Sequence, residues 1–134
     1  MILVDTNVIL DVVENDPVWA NWAQENLEAA SLRAPLCINA VIYAELSIAF
    51  GKIEELETVL RLGEFLLEPI PREALFLAGK AFAKYRKQKG GKTGVLPDFF
   101  IGAHAAVENL PLLTRDKGRY ATYFPTVELI RPTT

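Results

Sequence analysis

Short apolar runs alternate with longer amphipathic segments along this chain. ILV at residues 2–4 and LCI at residues 36–38 have the length and composition of strands that are buried on both faces. Similar runs at 67–70, 111–114 and 127–130 predict a third, a fourth and a fifth strand. The apolar pattern therefore indicates a sheet of about five short strands.

The segments between these runs carry helix signals. Asp16-Pro17 is a typical helix start, Asn39 is a candidate cap, and Gly51 is a candidate stop. A loop is expected around Gly90, Gly91 and Gly94. The predicted helical segments are 16–30, 40–50, 53–67, 71–89 and the segment that begins at Pro97.

Strands that alternate with helices are typical of an α/β sandwich with a mainly parallel sheet. The 134 residues suit one domain, and about half of them are hydrophobic, which is enough for a sizeable core. We therefore expect a single α/β domain over residues 1–134, with helices flanking the sheet.

Four carboxylates lie in unusually apolar surroundings. Asp5 follows ILV directly, and Asp116 follows PLLT after one arginine. Glu45 is the only charged residue in INAVIYAELSIAF, and Asp98 is the only formally charged one in TGVLPDFFIGAHAAV. Helix capping is an alternative explanation for Asp5 and Asp98, and a turn position for Asp116. Glu45 is harder to explain structurally, because a carboxylate in so apolar a helix is costly unless a partner satisfies it.

The predicted topology allows these four carboxylates to converge. Parallel strands share one carboxyl edge, and ligands bind in the crevice beside it. Asp5 and Asp116 would lie just beyond their strands, and Glu45 about a turn and a half into the helix after the second strand. Asp98 begins a helix that can start at this edge because the loop 90–97 precedes it.

Four carboxylates in one cleft would repel one another strongly, so a compensating cation is expected. An oxygen-only set favours Mg²⁺ or Mn²⁺. Zinc is disfavoured because Cys37 and His104 are single and distant from each other in sequence. A carboxylate-held Mg²⁺ is suited to phosphodiester chemistry, which makes metal-dependent phosphoryl chemistry the leading hypothesis.

Composition narrows this hypothesis. A net charge of −3 and a pI near 5.2 count against binding of nucleic acid by bulk electrostatics, but not against a phosphate substrate reached through a metal. The basic run from Lys84 to Lys92 is more typical of a solvated helix end. A single cysteine, the lack of a signal-peptide pattern and the lack of a long apolar run lead us to expect a cytoplasmic protein.

The motifs MILVDTNVIL, AELS, LPDFFIGAHA and LLTRDKGRY, followed by YFP, occur in an order that resembles the PIN domain. The resemblance is to the VapC toxins of prokaryotic toxin–antitoxin pairs, and it covers essentially the whole chain. It implies a PIN-like three-layer sandwich in which Asp5, Glu45, Asp98 and Asp116 are the catalytic, metal-binding acids. Thr114 matches a hydroxyl that supports the metal site, and Thr6 and Asn7 match supporting residues beside the first aspartate.

The resemblance further implies Mg²⁺- or Mn²⁺-dependent endonucleolytic cleavage of RNA, which leaves a 5′-phosphate and a 3′-hydroxyl. It implies a homodimer and a small VapB-like antitoxin that blocks the acidic cleft. Arg115, Lys117 and Arg119 flank Asp116 and are candidates for steering phosphate, although a solvated turn explains them as well.

Other residues and other functions remain open at this point. His104 is expected to be a packed or surface residue, Cys37 a core residue, and Trp19 and Trp22 packing residues rather than base-stacking ones. An aspartyl-phosphate phosphatase would need an acid where Asn7 stands, and a receiver domain would need an acidic pair. The remaining alternatives are a catalytically weak PIN-like module that binds RNA or protein, and another Mg²⁺-dependent phosphoryl-transfer enzyme.

Overall fold

Five parallel strands form one sheet in the computed structural model, which describes residues 1–89, 94–116 and 118–133. The strands are β1 (Ile2–Val4), β2 (Leu36–Ile38), β3 (Leu66–Leu67), β4 (Leu112–Leu113) and β5 (Leu129–Ile130). Their order across the sheet is β3-β2-β1-β4-β5, with Leu3 paired to Cys37 on one side and to Leu112 on the other. The expectation of a mainly parallel sheet is confirmed, because all four pairings are parallel.

Seven helices flank the sheet within the described residues. They are α1 (Thr6–Val13), α2 (Ala20–Arg33), α3 (Ala40–Ser47), α4 (Ile53–Leu62), α5 (Arg72–Lys89), α6 (Leu96–Glu108) and α7 (Arg119–Tyr123). The predicted α/β class is therefore confirmed. No helix in the described part of the chain is both long and apolar enough to cross a bilayer.

The core lies around the three central strands, whose residues are all buried. Phe99 of α6 is fully buried, and its ring lies 5.4 Å from the rings of both Phe82 and Tyr85 on α5. A Cβ at Gly102 would approach the Phe124 ring to 2.3 Å, so glycine is needed there for close packing. These contacts hold α6, which carries Asp98, against its neighbours.

Polar side chains cap the N-termini of two helices that pack on the sheet, α1 and α3. Asp5 accepts a hydrogen bond from the Thr6 amide at the start of α1, and Asn39 Oδ1 accepts one from the Ile42 amide in α3. The Asn39 amide group then donates to Nδ1 of the buried His104, 3.0 Å away. Burial lowers the pKa of His104. His104 is thus a packed residue, as the sequence led us to expect.

The structure corrects the boundaries around α4. The helix predicted over 53–67 ends at Leu62, because Gly63 and Glu64 form a turn in which Glu64 has a φ of 55°. β3 follows at Leu66–Leu67 rather than at 67–70. Ile53 and Leu67, the two ends of the predicted helix, are 64% and 59% exposed. Turn geometry thus outweighed the helical periodicity of this segment.

The start of α2 also differs. Asp16 accepts hydrogen bonds from the amides of Val18 and Trp19, but this forms a turn and the helix begins only at Ala20. Val18, which falls inside the predicted helix, lies in this turn and is 74% exposed. The predicted glycine loop lies largely outside the described residues, since 90–93 are not part of them.

Candidate active site

The sheet has its topological switch point between β1 and β4. The chain moves from β1 to β2 and β3 on one side, and then returns to β4 and β5 on the other. Asp5 directly follows β1, Thr114 directly follows β4, and the Asp5 amide donates to the Leu113 carbonyl at 2.9 Å. Crevices at such points are where open α/β sheets bind ligands.

Three further carboxylates reach this point from other elements. Glu45 comes from α3, Asp98 from the first turn of α6, and Asp116 from the segment before α7. Together with Asp5 they line a cleft of about 250 Å³. The residues that line it are Asp5, Thr6, Asn7, Leu10, Glu45, Asp98, Asp116 and Tyr120. The convergence expected from the sequence is therefore present.

Asp5 is the innermost of the four and is only 4% exposed. Its Oδ1 accepts from the Thr6 amide at 2.8 Å. Its Oδ2 accepts from Thr114 Oγ1 at 2.8 Å, from the Tyr120 hydroxyl at 3.1 Å and from Asn7 Nδ2 at 3.3 Å. The carboxylate therefore has one well-defined orientation.

The three outer carboxylates are half-buried and have partners of different kinds. Glu45 Oε1 accepts from the Thr6 hydroxyl at 2.6 Å, and Asp98 forms an ion pair with Arg119. Asp116 Oδ2 accepts from the amides of Gly118 and Tyr120 at the start of α7, at 3.2 and 3.4 Å. All of these partners are hydrogen-bond donors, so a rotation of the carboxylate side chain itself would free its oxygens.

Burial and mutual repulsion dominate the electrostatics of the cleft. The pKa of Asp5 is raised to about 7: burial is the largest cause and the negative charge of Asp98 adds to it, whereas the hydrogen bonds from Thr114 and Tyr120 oppose the rise. Burial also raises the pKa of Asp98; Arg119 counteracts this, while Glu45 and Asp116 add to it. Asp98 thus interacts with each of the other three carboxylates, and the partners that the protein supplies do not fully offset the cost of charging Asp5 and Asp98.

The donor set suits Mg²⁺ or Mn²⁺, because the residues that line the cleft offer oxygen ligands and include neither cysteine nor histidine. As they stand, however, no three Asp, Glu, His or Cys side chains of the described residues form a group that could hold one ion. Residues and chemistry therefore fit a divalent cation, whereas a coordination shell requires the outer carboxylates to rotate away from their present partners.

The cationic candidates from the sequence separate in the structure. Arg119 reaches Asp98 at the cleft. Arg115 instead binds Asp11 on α1, and its side chain is not part of the cleft wall. Lys117 lies outside the described residues.

Sequence reasoning missed two residues. Tyr120 is buried, lines the cleft and donates to Asp5. Asp11 is a buried carboxylate in the apolar helix TNVILDVV, so it carried the same signal that singled out Glu45. Tyr120 lies on α7, a five-residue helix that the apolar pattern of the sequence did not predict.

A family model for the PIN domain matches residues 2–125, which include all four carboxylates. The chain belongs to the PIN domain family. The five-stranded parallel sheet with flanking helices is consistent with this fold, so the resemblance read from the four acidic motifs is confirmed at the level of the family.

Solved structures share this PIN fold over nearly the whole chain. A chain of VapBC2 from Rickettsia felis, bound to a promoter DNA fragment, has 23% identity and a TM-score of 0.72, with 98% of each chain covered. A toxin–antitoxin complex from Klebsiella pneumoniae gives 26% identity, a TM-score of 0.63 and 95% coverage of each chain. VapBC-1 from nontypeable Haemophilus influenzae has 22% identity and a TM-score of 0.68, with 98% of each chain covered.

A comparison with curated proteins found no match. Because one fold can serve several functions, the chemistry of the site carries the functional inference.

Proposed function

We propose that this PIN-domain protein is a Mg²⁺- or Mn²⁺-dependent endoribonuclease, acting as the VapC-type toxin of a toxin–antitoxin pair. The observation that carries the proposal is the convergence of Asp5, Glu45, Asp98 and Asp116 on one cleft at the switch point of the sheet. Membership of the PIN family and the likeness to VapBC structures support it. RNA as the substrate follows from the resemblance of the acidic motifs to those of VapC toxins.

The four carboxylates would hold the cation. When bound, a divalent cation polarises the phosphoryl group and promotes ionisation of a water molecule. Thr114, Tyr120 and the Thr6 amide keep the Asp5 carboxylate in place, so its oxygens would not reorganise during the reaction. Asp98 and Glu45 lie nearer the solvent, where either can accept a proton from the attacking water.

Arg119 has a separate role in this proposal. It neutralises Asp98 in the free protein and is 29% exposed, so it can turn towards a phosphate oxygen once a cation takes its place. Arginine suits this role because its planar group donates two hydrogen bonds to phosphate. With a net charge of −3, the protein would bind RNA modestly and mainly through the cation and such contacts.

The test is RNA cleavage by the isolated protein in Mg²⁺, in Mn²⁺ and in EDTA, compared with Asp98→Asn and Glu108→Gln. Glu108 ends the same helix and is exposed, so it controls for removal of one acid from α6. We expect metal-dependent cutting, with 5′-phosphate ends, that Asp98→Asn abolishes and Glu108→Gln retains.

Equal cutting by the wild type and Asp98→Asn would contradict the proposal. A folded wild-type protein that binds several structured RNAs without cutting them would support the alternative of an RNA-binding PIN module. Metal-dependent release of phosphate from a small phosphomonoester, without RNA cleavage, would support another phosphoryl-transfer enzyme.

An antitoxin partner is the second part of the proposal. An apolar groove of about 520 Å³ runs between α1, α2 and α4, and Val12, Leu27 and Leu62 are among the residues that line it. Leu62 is 77% exposed there, and Glu28 and Glu64 add negative charge. We propose that an amphipathic helix of a VapB-like antitoxin, with basic residues beside its apolar face, occupies this groove. The known complexes among the structural neighbours support such a partner.

Homodimer formation and a cytoplasmic location complete the proposal. Both follow from the VapC resemblance: dimers are expected of the toxin, and the cytoplasm is where it would meet RNA. Sedimentation equilibrium of the isolated protein tests the first, because a monomer at micromolar concentration would contradict it.

A further inference from the structure

A second buried carboxylate, Asp11, lies on α1 outside the acidic cleft. Its side chain is 6% exposed, and Arg115 binds both of its oxygens: Nε lies 2.6 Å from Oδ2 and Nη2 lies 3.1 Å from Oδ1. A buried carboxylate is costly unless it is paired with good geometry, and this bidentate pair provides that geometry.

Arg115 is also held from a second side. Its guanidinium lies 5.5 Å from the centre of the Trp19 ring, and the Trp19 amide is bound by Asp16 at 2.8 Å. The arginine side chain is therefore anchored to α1 and to the turn before α2. In this arrangement Nε and Nη2 are engaged by Asp11 and are not offered to the cleft.

The backbone of Arg115 connects this anchor to the cleft. Its amide donates to Asn7 Oδ1 at 3.3 Å, and Asn7 in turn donates to Asp5. Its neighbours in the chain are Thr114, which donates to Asp5, and Asp116, whose amide donates to Thr114 Oγ1 at 3.0 Å. Placing Arg115 therefore places the residues on both sides of it.

We propose that the Asp11–Arg115 ion pair, packed against Trp19, is a positioning device that holds the 114–116 segment against α1. It sets the position of Asp116 relative to Asp5, and its effect on catalysis rests on the function proposed above. Arg115 is thus a positioning residue rather than the phosphate-steering residue that its place beside Asp116 suggested.

The experiment compares Arg115→Gln, Arg115→Lys and Asp11→Asn with the wild type. Arg33→Gln is the matched control, because it removes an arginine from an exposed ion pair with Glu128. Asp11→Asn preserves side-chain shape and provides a milder variant if Arg115→Gln does not fold. Three measurements are made on each protein: amide hydrogen exchange across 5–11 and 114–116 in EDTA, Mn²⁺ affinity, and the kinetics of RNA cleavage.

We expect amide exchange at Arg115 and Asp116 to be about tenfold faster in Arg115→Gln and Asp11→Asn, and unchanged in Arg33→Gln. Mn²⁺ affinity and kcat should fall about tenfold with little change in KM, the range typical of lost supporting contacts to a metal site. Arg115→Lys should not rescue, because lysine cannot bind both oxygens of Asp11.

Unchanged exchange in the folded Arg115 and Asp11 variants would overturn the proposal. So would a rise in KM alone for Arg115→Gln, the signature of a lost phosphate contact. Exchange needs neither metal nor RNA, so it decides the positioning role even if the wild type binds no Mn²⁺ and cuts no RNA. A wild-type protein that binds no Mn²⁺ and cuts no RNA would contradict the proposed function, and not the positioning role.

Discussion

Helix α1 separates two recesses of opposite character. Thr6, Asn7 and Leu10 face the acidic cleft, whereas Ile9, Val12 and Val13 face the apolar groove. The cleft, at about 250 Å³, contains four carboxylates, and the groove, at about 520 Å³, is lined mainly by apolar side chains. One eight-residue helix thus serves both surfaces.

The two recesses are unfavourable for different reasons. In the cleft, like charges repel one another and the Asp5 carboxylate is buried away from water. A bound cation would offset both the repulsion and the cost of this burial. In the groove, apolar surface remains in contact with water, so an apolar partner relieves it. Each surface is therefore suited to the ligand that removes its own source of instability, and the two share no lining residue.

Asp5→Asn is expected to give the largest difference between its effect on RNA cleavage and its effect on partner binding. It should lower RNA cleavage about 10³-fold or more, because the site loses a ligand to a cation that supplies several kcal/mol of transition-state stabilisation. Affinity for the proposed VapB-like antitoxin, by calorimetry, should fall far less than cleavage does, because the groove proposed to hold its helix shares no lining residue with the cleft. More than a tenth of wild-type cleavage would contradict Asp5 as a ligand.

The converse change is Leu62→Glu in the groove. Because it puts a charge where an apolar side chain of the antitoxin should pack, binding of the proposed VapB-like antitoxin should weaken about 100-fold, with RNA cleavage by the isolated protein unchanged. Ile48→Glu is the control, since Ile48 is 86% exposed and does not line the groove. Equal weakening by both changes would show that the partner binds elsewhere.

The electrostatic cost of the cleft should appear in the pH dependence of stability. The pKa of Asp5 is raised to about 7 in the folded protein, from an ordinary value of 3.8. The folded state therefore holds this proton more tightly than the unfolded state. In EDTA the contribution of Asp5 to the free energy of unfolding should fall as pH rises from 4 to 7, by at most about 1.4 kcal/mol per pH unit.

Chemical unfolding at each pH, with Asp5→Asn beside the wild type, measures this contribution. The stability of the variant relative to the wild type should rise over the same range, and Mn²⁺ should cancel the difference by stabilising only the wild type. Parallel pH curves for the two proteins would show that Asp5 carries no such cost.

The smallest effect is expected from Tyr120→Phe. The ring still fills its buried site, but Asp5 loses one of its donors, so kcat should fall about tenfold with the fold and the groove intact. Single-turnover cleavage at saturating RNA measures it. Thr122→Val, which removes an exposed hydroxyl from the same helix, should leave the rate unchanged. A loss as large as that of Asp5→Asn would indicate a direct catalytic role for the hydroxyl.

The amino-acid sequence was sufficient for the fold class, the number of strands and the convergence of four carboxylates on one cleft. Strands as short and apolar as ILV and LCI can be predicted from the sequence, because a strand that is buried on both faces contains few polar residues. Carboxylates in such apolar surroundings, like Glu45 in AVIYAELS, can be recognised in the sequence because burying a carboxylate without a partner is energetically unfavourable. The end of α4 was not predicted, because the apolar periodicity continues past the turn at Gly63 and Glu64 where the helix stops.

Tertiary structure alone decided which side chains meet. Arg115 and Arg119 are four residues apart and looked equivalent, yet one binds Asp11 on α1 and the other binds Asp98 on α6. Tyr120 acquired its role because α7 turns its hydroxyl towards Asp5, 115 residues earlier in the chain. The physical reason is that residue type and local pattern set what a side chain can do, whereas backbone direction and the packing of distant elements set its partner.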